Sequence, residues 1–293
     1  MSWLARNLRS VAPLALAAAL FAAPSVARAH GDFHTLITAA DQDVQKEPGK
    51  PEPYLRRAEL YRLHQMWPEC EADIARAVVL VPELPLVDLC LGRLRMDTAW
   101  PLTARAHFDR FLAKHPDHVE ALTLRSRVWQ ALGHPLNASE DLARAVRATP
   151  EGAPELYIER AQALASAGSG QWETALAVLD DGMRKMGPLV TLQLTAIDIE
   201  LRRQNYDGAL SRVDAVAARS PRKESWLARR GEILLQAGRS DEARQAYQSA
   251  LAALDTLPPV RRNVPAVLDL ERRIRVELDQ LKAPGGTAPR PAP

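Results

Sequence analysis

Four prolines stand at equal intervals, Pro48, Pro82, Pro116 and Pro150, each 34 residues after the one before. A fixed period of this length points to one supersecondary unit copied several times, which sets aside folds organised around a single irregular core. One residue type at a regular spacing is weak by itself, so other rows must agree. Ala58, Gly92 and Ser126 fall in one row, and Cys70, Ala104 and Ala138 in another, all of them small. Four residues after the second row come Ile74, Phe108 and Leu142, and three further on come Ala77, Phe111 and Ala145. Steps of four and three place those side chains on one face of an amphipathic helix. The unit therefore contains at least one amphipathic helix, and the prolines at the period can stop it.

The pattern continues past the strict period. The stretch Trp226 to Leu254, WLARRGEILLQAGRSDEARQAYQSALAAL, carries Leu227, Gly231, Leu234, Gly238, Ala243, Tyr247 and Ala250. Tyr157, Ala161, Leu164, Ala175 and Leu179 form another copy, with about two extra residues around Ser169-Gly170. Tyr206, Ala209, Val213 and Val216 belong to a third. These residues resemble the tetratricopeptide repeat, in which two antiparallel helices make each unit. The resemblance covers residues 51–258 and implies an all-α fold, a right-handed superhelical solenoid of antiparallel helix pairs with about six repeats.

The ends read as caps, since a terminal repeat otherwise exposes its apolar face. Residues 30–50 predict an N-terminal capping helix that begins near His34 and packs through Leu36 and Ala40. Residues 259–282 predict a C-terminal capping helix with Leu270, Ile274, Leu278 and Leu281 on one face, and 283–293 a disordered Pro/Gly-rich tail. Inside the repeats, Trp67-Pro68, Trp100-Pro101 and His134-Pro135 place proline in the first turn of a second helix, where its missing N–H costs nothing. Gly133 and Gly238 are suited to closing first helices with positive φ. Trp67, Trp100, Trp172 and Tyr206 recur beside the same turn and read as covers of the hairpin joint.

Residues 1–29 read as a signal peptide. Arg6 and Arg9 precede the apolar run Val11 to Ala23, and Ala27-Arg28-Ala29 fits a cleavage site. The run is shorter than the roughly 20 residues that span a bilayer, so no stable membrane insertion is expected after cleavage. A periplasmic or secreted protein is the expectation. Cleavage removes three arginines from 38 basic residues and none of the 36 acids, leaving the mature chain nearly neutral. That balance argues against nucleic acid as a partner.

The cut would make His30 the first residue, with His34 four positions on. An amino group and imidazoles suit copper(II), so metal handling through His30 and His34 stands as an alternative function. His115 and His118, which flank Pro116, read as a polar turn. Cys70 and Cys90 sit about five residues out of register for neighbouring antiparallel helices, which favours two buried free thiols over a disulfide. No phosphate loop, nucleophile elbow or helical H-E-x-x-H occurs, so an enzyme is not expected and no cofactor is implied.

The resemblance implies that first helices line a groove for a partner protein or peptide. The matching positions include Leu55, Glu59 and Arg62, then Leu89, Arg93 and Met96, then Thr123, Arg127 and Gln130, with Ile158, Gln162, Leu194, Asp198, Glu232 and Leu235 beyond. The lysine and asparagine clamp that family members use on chaperone carboxyl termini is missing, because Leu55 and Glu59 occupy its places. Arg93 and Arg127 are the groove arginines best suited to an acidic segment. Arg57, Arg125, Arg160 and Arg230 recur at one repeat position and read as stem packing with pairing to Asp or Glu. The expected function is a periplasmic adaptor that binds another exported protein.

Overall fold

The computed structural model describes residues 23–282, with side chains over 33–281. Residues 1–22, which hold most of the expected signal peptide, and the expected disordered tail at 283–293 lie outside the described residues. Among the described residues there are fifteen α-helices and no strand. They run in the order α1 (Ala23–Lys46), α2 (Pro51–Leu63), α3 (Trp67–Leu80), α4 (Pro85–Asp97), α5 (Pro101–Lys114), α6 (Val119–Ala131), α7 (Pro135–Arg147) and α8 (Pro154–Ser166). Then come α9 (Trp172–Met186), α10 (Val190–Arg202), α11 (Tyr206–Arg219), α12 (Glu224–Gln236), α13 (Ser240–Asp255), α14 (Pro259–Arg262) and α15 (Pro265–Lys282). A short 3-10 turn at Ser169–Gln171 takes up the extra residues of its repeat.

The chain divides into two compact units, Met1–Leu94 and Arg95–Pro293. In the first, Tyr54, Leu55 and Ala58 of α2 join Cys70, Ile74 and Ala77 of α3 and Val87, Cys90 and Leu94 of α4 in one buried cluster. In the second, Tyr157, Ala161, Ala175 and Leu179 centre one cluster on α8, α9 and α10. Another joins Ala209, Val213, Ala228, Leu234, Ala243 and Tyr247 to Leu270, Ile274 and Leu278 of α15. The small-residue rows are the contact points. Ala104, Ala138, Ala175, Ala209 and Ala243 have no exposed surface. At Gly231 the approach is so close that an added Cβ would lie 2.6 Å from Cε1 of Tyr247.

Five of the six helix pairs build their inner turn one way, while the α8–α9 pair departs from it with Gly168 at φ 115° and the 3-10 turn. The residue after the first helix and its cap takes positive φ: Gln65 and Ala99 at 60°, Gly133 at 77°, Gln204 at 59° and Gly238 at 74°. The next residue donates its N–H five positions back, in Met66 to Tyr61, Trp100 to Arg95, His134 to Trp129, Asn205 to Glu200 and Arg239 to Leu234, at 2.8–2.9 Å. This is the left-handed cap that satisfies carbonyls at a helix end. Glycine marks it at Gly133 and Gly238, but Gln65, Ala99 and Gln204 hold the same conformation without that signal, because the hydrogen-bonded turn and its packing outweigh the local preference.

Both caps differ from expectation. The first helix begins at Ala23, before His34, and Leu36 is 51% exposed while Ala40 is buried. Phe33, Ile37, Ala40 and Val44, at steps of four, three and four, form the covered stripe, and Leu36 lies at its margin. The C-terminal cap is two helices, since Pro265 cannot donate into a continuing helix and turns Val264 away from helical geometry.

Candidate functional site

The first helices were expected to offer a ligand face, and their side chains divide into three groups. Leu55 and Leu89, assigned to that face by register, are instead core residues, each 3% exposed. The reason is helical phase: they lie three positions before Ala58 and Gly92, on the side that meets the second helix. Glu59, Arg62 and Arg93 are half-buried and bound to one another. Arg62 donates from Nε at 2.9 Å and from Nη2 at 2.7 Å to the Glu59 carboxylate, and Arg93 Nη1 lies 3.5 Å from it. Burial opposes ionisation of Glu59, but the two guanidinium groups outweigh it and hold the carboxyl below its usual range.

In the second unit, Met96 is half-buried, and Arg127 and Gln130 are exposed. Arg127 already has a carboxylate, donating from Nη2 to Glu159 at 2.7 Å. The remaining first-helix positions there are accessible and mixed in character: Leu194 is 41% exposed, Ile158 and Leu235 are half-buried, and Gln162 is exposed. Asp198 and Glu232 both lie by Arg229, at 3.8 and 2.9 Å. Such a surface can hydrogen-bond a peptide while burying an apolar side chain of it.

One arrangement was only partly visible in the sequence. Arg57 reaches Asp73 with Nε and Nη2, both at 2.7 Å, and Asp41 with Nη1 at 2.8 Å. Arg125 does the same with Asp141, at 2.8 and 2.6 Å, and with Asp109 at 2.7 Å. Each partner lies sixteen residues away, on the helix before or the helix after. That spacing, read beside the 34-residue period, was the signal that could have found these clamps.

His64, His115, His118 and His134 pack against aromatic rings. His118 caps α6, its Nδ1 accepting from the Ala121 N–H at 3.2 Å, and its ring and that of His115 lie 5.0 and 4.9 Å from Phe111. His34 is exposed, and the side chain of His30 lies outside the described residues. His64 stacks on Phe33 with ring centroids 3.6 Å apart. No three His, Cys, Asp or Glu side chains come together as a metal site among the described residues. Cys70 and Cys90 are buried, and no disulfide joins them. No described helix is long and apolar enough to cross a membrane.

Consecutive helix pairs meeting at small residues, with partly open first helices, define a helical-repeat protein of the interaction-scaffold class. Family models narrow this: one for a tetratricopeptide repeat-like domain matches residues 137–270, and one for the tetratricopeptide repeat matches 91–153. The chain belongs to the tetratricopeptide repeat family. Among solved structures, the C-terminal part of a repeat-containing protein from Cytophaga hutchinsonii is 14% identical, covers 83% of this chain and 95% of that one, and superposes with a TM-score of 0.61. PilW, a widely conserved type IV pilus biogenesis factor, is 19% identical over 65% of this chain and 87% of its own, with a TM-score of 0.53. At these identities the likeness is one of fold. No curated protein sequence matches the chain.

Proposed function

We propose that the chain is a non-catalytic adaptor that acts outside the cytoplasm, in the periplasm, and binds a segment of another exported protein along its first helices. The observation that carries this reading is the accessible first-helix row of the second unit, where Arg127, Gln130, Gln162 and Leu194 mix charge, amide and apolar surface. Export rests on the basic, apolar and small-residue order of residues 1–29. A photo-crosslinking amino acid placed at Gln130 and at Gln162 tests the pair of ideas in cells. Both positions should capture the same exported protein, and the recovered chain should begin at His30. Capture of nothing at either position sinks the adaptor, and a cytoplasmic chain still carrying Met1 sinks export.

A second reading, copper handling, has one observation in its favour. The His64 ring against Phe33 brings a third imidazole beside the segment that holds His30 and His34. Copper(II) titration of a chain starting at His30 should give a saturable visible absorption band that His64→Ala shifts or weakens. Absence of the band ends this reading.

A further inference from the structure

Arg57, Arg125, Arg160 and Arg230 each stand one residue before the buried small residue of a first helix, at Ala58, Ser126, Ala161 and Gly231. Two acidic places serve this arginine position. One lies three residues after the small residue of the second helix in the same repeat: Asp73 follows Cys70, and Asp141 follows Ala138. The other lies five residues after the small residue of the preceding second helix, as Asp109 follows Ala104. Arg230 has only this second kind of partner, Asp214, because Ala246 takes the first place. At Arg160 both places are apolar, Val178 in α9 and Ala143 in α7.

The consequences are visible at the side chain. Arg160 is half-buried, its Nε is sealed from water without an acceptor, and it makes no ion pair or hydrogen bond among the described residues. It senses Arg147, which is exposed and makes no ion pair among the described residues, and Asp181, which already accepts from Arg184 Nη2 at 2.8 Å. Burial, and after it the charge of Arg147, holds the Arg160 guanidinium below its ordinary value, whereas the clamped Arg57 and Arg125 are raised. The repeat does not require arginine here, since Leu91 and Thr195 fill the same position in their own repeats. An arginine kept at a half-buried position, with both acidic places rendered apolar, is a cation lacking an anion.

We propose that Arg160 is a receptor for a carboxylate from an acidic segment of a protein partner, which completes between chains the clamp that Asp73 and Asp141 complete within this one. The inference rests on the adaptor reading and locates a contact on α8 itself, on a different face from Ile158 and Gln162. The chemistry favours a carboxylate because the two filled clamps at this register hold carboxylates at 2.6–2.8 Å through the guanidinium fork. Arg147, one helical turn from Ala143, adds positive charge without a competing carboxylate of its own.

The test uses the full mature chain labelled with nitrogen-15, following the Arg160 Nε–H resonance, which Arg160→Gln identifies by its loss. The probes are an end-capped tetra-aspartate peptide, the corresponding tetra-asparagine peptide, and sodium phosphate at matched ionic strength. Tetra-aspartate should shift the Arg160 signal saturably and tetra-asparagine should not. Affinity measured by calorimetry should fall about tenfold or more in Arg160→Gln, as expected for loss of a charged hydrogen-bond pair. Val178→Asp, which returns a carboxylate to the place Asp73 holds in its own repeat, should raise the melting temperature and abolish the tetra-aspartate response. Equal affinity in wild type and Arg160→Gln, an undiminished response in Val178→Asp, or a stronger response to phosphate than to tetra-aspartate each overturns the proposal. If the cross-links at Gln130 and Gln162 succeed while Arg160 stays silent, the adaptor stands and this site falls.

Discussion

Arg57 and Asp73 face each other with two parallel hydrogen bonds, Nε to Oδ2 and Nη2 to Oδ1, each 2.7 Å long. The arginine is 19% exposed and the aspartate 7%, so the pair is largely withdrawn from water, while the second partner, Asp41, is 42% exposed. Removing a partner from a buried pair strands the other charge, which costs far more than losing an exposed one. Asp73→Ala should therefore destabilise the chain by about 3 kcal/mol, against about 1 kcal/mol or less for Asp41→Ala, as read from urea unfolding. Equal effects would mean that the clamp is solvated.

Ala99 adopts φ of 60° in the turn where Gly133 and Gly238 stand in their own repeats. A Cβ in that region costs roughly 1–2 kcal/mol, partly offset by the chain entropy that glycine loses on folding. Ala99→Gly should stabilise by about 0.5–1 kcal/mol, and Gln65→Gly by a similar amount. Gly133→Ala should do the reverse. Thermal midpoints of the three variants decide the matter, and a drop on Ala99→Gly would contradict it.

Gly231 lies in the middle of α12, where alanine would ordinarily gain about 1 kcal/mol from helix propensity. Here the new methyl would meet the Tyr247 ring at 2.6 Å, so Gly231→Ala should instead cost about 1–3 kcal/mol. Among the described residues the buried Tyr247 hydroxyl has no hydrogen-bond partner, and Tyr247→Phe should be neutral or stabilising by about 1 kcal/mol. Denaturation midpoints for the two variants should move in opposite directions or differ by at least the cost of the clash.

Burial pushes the Cys70 thiol up to about 12 from an ordinary value of 9.0. Between those values the folded chain keeps a proton that the unfolded chain releases. Stability should thus be intact below pH 9 and fall as pH rises toward 12, by at most about 1.4 kcal/mol per unit. Cys70→Ala removes this contribution while keeping the small side chain that Ala104 and Ala138 show to fit the row. Wild-type stability minus that of the variant should be lower at pH 10.5 than at pH 8. In addition, native Cys70 should resist alkylation at pH 8 and react in denaturant.

The period, the helix pairs, the rows at Ala58 and Cys70 where the helices touch, and the proline starts of α3, α5 and α7 can all be read from the order of residues. These features depend on side-chain size and on the rise of a single helix, both local quantities that a repeat prints again and again. Helical phase also lay in the sequence, and it places Leu55 and Leu89 in the core once Ala58 and Gly92 are known to face the second helix. The left-handed turns at Gln65, Ala99 and Gln204, and the hold of Arg93 on Glu59 and of Arg127 on Glu159, emerge only when the helices pack. Packing alone separated the satisfied Arg57 and Arg125 from the unsatisfied Arg160. Such outcomes depend on how side chains from different helices meet, and distances across a packed interface are not written in the spacing along either strand of chain.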